Sequence, residues 1–325
     1  MGNTWTQFFP PAPRFTENDL PDLFGKVFIV TGSNTGIGKE VARMLYSANA
    51  KVYITARSEE KSRKAISDIQ AAYPSSKGSL VFLHLDLADL STIKATVEEF
   101  LKKESKLHVL FDNAGIMSVP SVPDRTKQGY EMNLGVNNVG TFLLTKLLTP
   151  VLISTARAEP PNTVRVVWVS SVIDLAAAKH VGVPLDDLDF RKKKVPGMNR
   201  YGWSKTGNWL HAVEYAKLHK TDGVVCVPVN PGNLDSELMR EHTRLMQWIL
   251  SFITHPVPLG GYSLLFAGLS PEVTVEKSGS FVWPWGRFGT VRQDLVAATK
   301  SEAEGGNGNA KKFWDWTEEQ VEKYL

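Results

Sequence analysis

Cysteine occurs once, as Cys226, in a chain of 325 residues. No internal disulfide can form, and a reducing compartment is compatible with that usage. Cys226 stands in the apolar run Val224-Val225-Cys226-Val227, where a buried strand position is expected rather than a reactive thiol. Net charge is also low. The 37 Lys and Arg against 34 Asp and Glu leave +3, too little to argue for nucleic acid. The basic run Arg191-Lys192-Lys193-Lys194 reads as a solvated loop. Long apolar runs are missing as well. None approaches the ~18 residues of a spanning helix, and the N-terminal stretch has no apolar core of the length that export needs. Residues 1–6, Met-Gly-Asn-Thr-Trp-Thr, fit the loose pattern for myristoylation of Gly2, a pattern that chance also produces. A cytoplasmic location is expected, with peripheral membrane attachment through Gly2 as the weaker alternative. No metal-ligand spacing links the seven histidines, so no metal is expected.

What is present suits a soluble globular protein: 42% hydrophobic and 22% charged residues. The length allows one large core. Residues 1–21, rich in proline and aromatics, read as an arm. Residues 22–300 read as one domain, and 301–325 as a tail with a short helix.

Apolar β-branched runs alternate with helical patterns along the domain. The run Lys26–Val30 leads into Thr31-Gly32-Ser33-Asn34-Thr35-Gly36-Ile37-Gly38 and then a helical stripe of Val41, Ala42, Leu45 and Ala48. Strand, glycine turn and helix in that order suit a dinucleotide. The glycines let the backbone approach closely, and the helix N-terminus offers free N–H groups to a pyrophosphate. The spacing is Gly-x-x-x-Gly-x-Gly, not the more familiar Gly-x-Gly-x-x-Gly.

A second strand, 51–57, ends in Arg57, where an NAD-binding fold often places an acid. A guanidinium can instead bind a 2′-phosphate with two hydrogen bonds, and Lys39 adds charge. NADP(H) is therefore the expected cofactor, although Glu59 and Glu60 follow closely. Helices are expected near 59–73 and 90–103, with a third strand at 80–86 between them. Asp86, followed by Leu87, is placed to accept from an adenine amino group or to cap the next helix; His84 is expected to be packed. A fourth strand, 107–111, runs into Asn113-Ala114-Gly115. A long helix near 127–150 carries Asn137 and Asn138. A fifth strand, 164–169, ends in Ser170-Ser171, and 172–200 is irregular. A sixth strand, 224–229, ends in Asn230-Pro231-Gly232-Asn233, with Ser236 close behind. A seventh is expected at 280–283. This rhythm predicts an α/β fold, one Rossmann-type doubly wound parallel sheet of about seven strands with helices on both faces. The crevice of such a sheet lies at the carboxyl ends of its strands.

Tyr201 and Lys205 stand four apart in Arg200-Tyr201-Gly202-Trp203-Ser204-Lys205. On a helix that spacing puts them on one face, one turn apart. A nearby ammonium favours the phenolate of a tyrosine whose free pKa is near 10.

Taken together, Gly32, Gly36 and Gly38, then Asn113-Ala114-Gly115, then Asn137, Ser171, Tyr201, Lys205 and Pro231-Gly232 resemble the short-chain dehydrogenase/reductase family over about residues 24–290. The likeness is greatest to its retinol-dehydrogenase-like branch and to soluble, fungal-type members, whose substrates are diverse and often belong to specialised metabolism. The resemblance implies hydride transfer between NADPH and a carbonyl or alcohol. Tyr201 would be the acid or base, and Lys205 would lower its pKa and hold the cofactor ribose. Ser171 would donate to the substrate oxygen, and Asn137 would hold a water leading to Lys205. Pro231-Gly232 would lie beside the nicotinamide. Vertebrate retinol dehydrogenases usually carry an N-terminal anchor and none is expected here, so retinol itself is not the expected substrate. With Trp248 and Phe252 close to the apolar stripe described next, an apolar or aromatic small molecule is expected rather than a sugar. A segment over about 233–256, with Leu238, Leu245, Met246, Ile249, Leu250 and Ile253 at helical spacing, is expected to form a lid, a packed face, or both. A homodimer is left open. Two other readings stand beside this one: an NADP-bound cyclase or isomerase on the same fold, and a non-catalytic NADP-binding regulatory protein.

Overall fold

The computed structural model describes residues 2–235 and 254–325. Ser236 and the apolar stripe of the expected lid lie outside the described residues. Eight strands form one sheet in the order β3-β2-β1-β4-β5-β6-β7-β8. They are β1 (Val27–Thr31), β2 (Lys51–Ala56), β3 (Ser79–His84), β4 (Val109–Asp112), β5 (Arg165–Val169), β6 (Val225–Val229), β7 (Val282–Trp283) and β8 (Arg287–Phe288). All pairings are parallel except β7 with β8. The eighth strand is a two-residue hairpin return that the sequence did not announce. β1 and β4 are neighbours although the chain runs outward through β2 and β3 between them. Their carboxyl ends therefore part, and a crevice opens there.

Successive strand residues point to opposite faces, and each face is buried. Val27, Ile29 and Tyr53 join one core with Phe142, Trp168 and Trp209. Phe28, Val30, Val52 and Ile54 join the other with Val41, Leu45 and Phe266. That two-sided burial is why the strands read as unbroken apolar runs. Cys226 is buried in β6, as expected. His84 is exposed, contrary to its apolar setting. It ends β3, an edge strand with no neighbour on one flank among the described residues.

The helices are α1 (Gly2–Phe8), α2 (Gly36–Ser47), α3 (Glu59–Ala72), α4 (Leu90–Leu101), α5 (Thr141–Ala158), α6 (Ile173–Ala176), α7 (Gly197–Leu218), α8 (Val257–Leu269), α9 (Gln293–Ala298) and α10 (Asn309–Val321). Ser58 and Asp89 cap α3 and α4 through their side chains. The long helix expected at 127–150 starts later and runs further. A π-helical segment, Leu134–Gly140, leads into α5, which passes through Pro150 to Ala158. The stretch Leu134–Ala158 is long and apolar enough to cross a membrane, but two-thirds of its apolar window is buried inside the protein.

Arg165 reaches under the sheet to the end of α8. Its guanidinium donates to Ala267 O at 3.1 Å and Ser270 O at 2.9 Å. A cation at a helix C-terminus satisfies carbonyls that have no partner in the helix. Burial with no acid beside it pushes this guanidinium down to about 10.

The two ends of the chain are packed. Phe15 joins the second core, and Gln7 of α1 is 1% exposed. In α10, Phe313 stacks on the buried His211 ring with centroids 4.5 Å apart. Burial drives the His211 imidazole down to about 3, so it stays neutral.

Candidate active site

The crevice at the strand ends is a cleft of about 890 Å³, near the top of the ~300–1,000 Å³ range usual for ligand sites. Its floor is laced together by backbone. Gly32 and Gly36 have φ of 66° and 57°, which favour glycine. A methyl group at Gly38 would meet Asn113 Nδ2 and Gly32 O at 2.6 Å. Asn113 Nδ2 donates to Thr31 O at 2.7 Å and Ala114 N to Thr31 Oγ1 at 2.8 Å. The loops after β1 and β4 are thus one unit. The α2 N-cap, Thr35, makes no side-chain capping bond, so the first-turn N–H groups remain available to an anion.

Gly32, Asn34, Thr35, Gly36 and Ile37 line the cleft, as do Arg57, Asp86, Leu87 and the stretch Asn113-Ala114-Gly115. Ser171, Tyr201, Lys205, Pro231, Gly232 and Asn233 line it too. Two expected cofactor residues do not. Gly38 is packed beneath the loop, and Lys39 Nζ is turned to Asp68 Oδ2 at 2.8 Å. Lys61, which the sequence did not single out, lines the cleft with Arg57 and Ser58. It sits one turn into α3, whose cap Ser58 accepts from Lys61 N at 3.3 Å.

On α7, Tyr201 and Lys205 come together as their spacing requires. Lys205 Nζ donates to Val169 O at 3.1 Å. A methyl group at Gly115 would lie 2.8 Å from that nitrogen and 3.3 Å from Asn137 Oδ1. Ser170 Oγ donates to Lys205 O at 2.7 Å, which fixes the helix against the end of β5. Among the described residues, neither the Ser171 hydroxyl nor the Tyr201 hydroxyl makes a hydrogen bond. Both remain free for a ligand.

Burial pushes the Tyr201 phenol up to about 12 and the Lys205 ammonium down to about 8. Removal from water is the cause in both cases, and it disfavours the charged form of each group. At neutral pH the pair is a phenol, which can donate, beside a largely protonated amine.

Asn137 is fully buried and lies beneath the cleft, not in its wall. Its Nδ2 donates to Ile116 O at 3.0 Å and Ser204 Oγ at 2.9 Å, and Oδ1 accepts from Ile116 N at 2.9 Å. Both Nδ2 protons are committed, and only Oδ1 keeps an acceptor position. Asn138 likewise donates to Ser204 O and Asn208 Oδ1. The two asparagines lock α7 to the π-helical segment.

Beyond Tyr201 the wall becomes apolar. Met117, Met132, Val136 and Met198 line it. Met198 stands three residues before Tyr201, on the same helical face. None of these was identifiable beforehand, since each belongs to a different loop or helix end.

The residues fit a nicotinamide dinucleotide. A methyl group at Gly38 would break the cradle, and one at Gly115 would displace the Lys205 ammonium. Asn233 Nδ2, buried among the cleft residues, has no hydrogen-bond partner among the described residues and is left to meet a ligand acceptor. Among the described residues no group of three or more His, Cys, Asp or Glu could hold a metal.

Comparison with known proteins agrees with this geometry. The family described as short chain dehydrogenase matches residues 26–183. A short-chain dehydrogenase/reductase of Phomopsis amygdali is 51% identical over the whole of this chain and 98% of its own length. The short-chain dehydrogenase/reductase bet4 of Neocamarosporium betae is 49% identical over the whole chain and 94% of its own length. Among solved structures, an uncharacterized protein from Mycobacterium Paratuberculosis superposes with a TM-score of 0.67 at 26% identity, covering 95% of this chain and 97% of the other. The 3-ketoacyl-(acyl-carrier-protein) reductase of Brucella melitensis, solved with NADH, shares the fold at a TM-score of 0.60 and 20% identity, over 80% of this chain and 96% of the other.

Proposed function

This chain belongs to the short-chain dehydrogenase/reductase family, and on that footing we propose that it reduces a carbonyl on an apolar or aromatic small molecule with NADPH, or runs the reverse oxidation. The observation that carries this reading is the pair of unbonded hydroxyls, Ser171 and Tyr201, lining one cleft with Lys205 behind them.

NADPH, when bound, supplies the hydride. The cradle of Gly32–Ile37 and Asn113–Gly115 would hold the dinucleotide, and Arg57, Ser58 and Lys61, which line the same cleft, would supply the positive charge and donors for a 2′-phosphate. Ser171 donates to the substrate oxygen and holds it in place. Tyr201, protonated at neutral pH, delivers its proton as that oxygen gains charge. Lys205 offsets the phenolate left behind, and Asn137 keeps Lys205 in register through Ile116 and Ser204. Met117, Met132 and Met198 provide an adaptable apolar wall, which favours an apolar substrate over a sugar. The likeness to fungal relatives supports a place in specialised metabolism.

The test is cofactor oxidation across a panel of aromatic and aliphatic carbonyls, with NADPH and NADH in parallel. NADPH consumption that depends on an apolar carbonyl is expected. A panel that consumes neither cofactor, or only NADH, rejects the proposal.

A further inference from the structure

The N-terminal helix α1 buries one side chain, Gln7, between the segments that follow β5 and β6. It is 1% exposed. Gln7 Oε1 accepts from Asn230 Nδ2 at 2.9 Å, across 223 residues of chain. Gln7 Nε2 donates to Asp174 Oδ2 at 3.3 Å. Each partner shapes a wall of the site. Asn230 Oδ1 accepts from Gly232 N at 3.0 Å and so fixes the Pro231-Gly232 turn, where Gly232 has φ of 92°. Asp174 stands on α6, three residues after Ser171, and Asp174 Oδ1 accepts from Arg292 N at 3.1 Å. The same helix holds a third point. Phe8 O accepts from His255 Nε2 at 2.8 Å, and His255 pairs with Leu234.

We propose that Gln7 is a positioning residue. It is a strut that sets the spacing between the Ser171 wall and the Pro231-Gly232 wall of the cleft. The N-terminal segment is therefore part of the working site and not an appendage. This rests on the reading of the cleft as an NADPH site, with the nicotinamide half beside Pro231-Gly232. An apolar group at position 7 would leave the buried Asn230 Nδ2 without its acceptor and take from the half-buried Asp174 carboxylate the donor to Oδ2, leaving it Arg292 N alone, so both walls would shift to find new partners.

The experiment compares two ligands on the full chain. NADPH spans the cleft, whereas 2′,5′-ADP reaches only its Arg57 end. For Gln7→Leu, NADPH affinity is expected to fall about tenfold while 2′,5′-ADP changes less than about twofold. The Gly232 amide is expected to exchange with solvent faster. Equal weakening of both ligands, or of neither, overturns the proposal. A second pair guards against simple misfolding. Gln7→Glu alone faces Asp174 with a like charge and is expected to weaken NADPH. Adding Asp174→Asn restores a donor opposite Glu and should recover NADPH binding and Gly232 protection. A double variant that fails to recover overturns the strut. Wild type that binds neither ligand rejects the NADPH reading itself, while Gly232 exchange still tests the strut.

Discussion

Arg200 and Glu131 form an ion pair at 3.0 Å in which each side chain is 1% exposed. Arg200 also donates to Pro120 O at 2.7 Å and to Val195 O at 2.6 Å. Glu131 accepts from Asn133 Nδ2 and from Leu134 N. The loops on either side of the apolar wall are thus tied to the residue that precedes Tyr201. Removing one partner leaves an uncompensated buried charge. Arg200→Met is expected to cost about 3–5 kcal/mol, while Arg200→Met with Glu131→Leu costs far less. Denaturant midpoints of the three proteins decide it. A single variant within about 1 kcal/mol of wild type would show that the pair does not hold these loops.

Tyr201→Phe removes one hydroxyl and leaves the glycine cradle untouched. NADPH binding should be almost unchanged, and turnover should fall about 10²–10⁴-fold, the usual worth of a general acid. Near wild-type reduction by this variant would remove Tyr201 from the mechanism.

Carbonyl reduction should decline as pH rises through about 8. Lys205 is depressed to about 8 and loses its charge there, so it no longer offsets the developing phenolate. Tyr201, near 12, still carries its proton throughout that range. The decline therefore reports the lysine and not the tyrosine. Lys205→Met should lack the inflection and most of the activity. A profile that is flat from pH 7 to 9.5 in wild type, at saturating cofactor, contradicts this assignment.

Cofactor choice should rest on Arg57 and Lys61 and not on Lys39. Charge-assisted hydrogen bonds to a phosphate contribute about 1.5–3 kcal/mol each, or roughly tenfold or more in affinity. Arg57→Asp should weaken NADPH strongly and NADH little. Lys61→Ala should weaken NADPH alone, by a smaller factor. Lys39→Ala should do neither, because its ammonium is taken by Asp68. Dissociation constants for both cofactors decide it, and equal loss for NADH and NADPH on Arg57→Asp would reduce Arg57 to a surface residue.

The strands and the loops at their ends were legible because a two-sided sheet demands unbroken apolar runs. Glycine, Asn113-Ala114-Gly115 and Ser170-Ser171 follow those runs directly. What was not legible depended on contacts between distant segments. Lys61 faces the cleft only because of how α3 crosses the sheet. The helix expected to end near 150 continues through Pro150 to Ala158, since only one ladder bond is lost there and Thr149 and Val151 are buried on either side. Met117, Met132 and Met198 meet from three elements with no common spacing. Gln7 lies in a stretch whose prolines and aromatics suggested an arm, and its partners are 167 and 223 residues away.

The two borders of the sheet are unequal. β8 has two residues, and Arg287 on it is turned back to donate to Pro284 O and Thr6 O. β3 has six residues and, among the described residues, a single neighbouring strand. A strand needs several consecutive unpaired amides and carbonyls to recruit another chain. Any templated growth of this sheet, whether in self-association or in misassembly at high concentration, is confined to the β3 side, and a proline or lysine introduced into the outward-facing positions of Ser79–His84 is the place to block it.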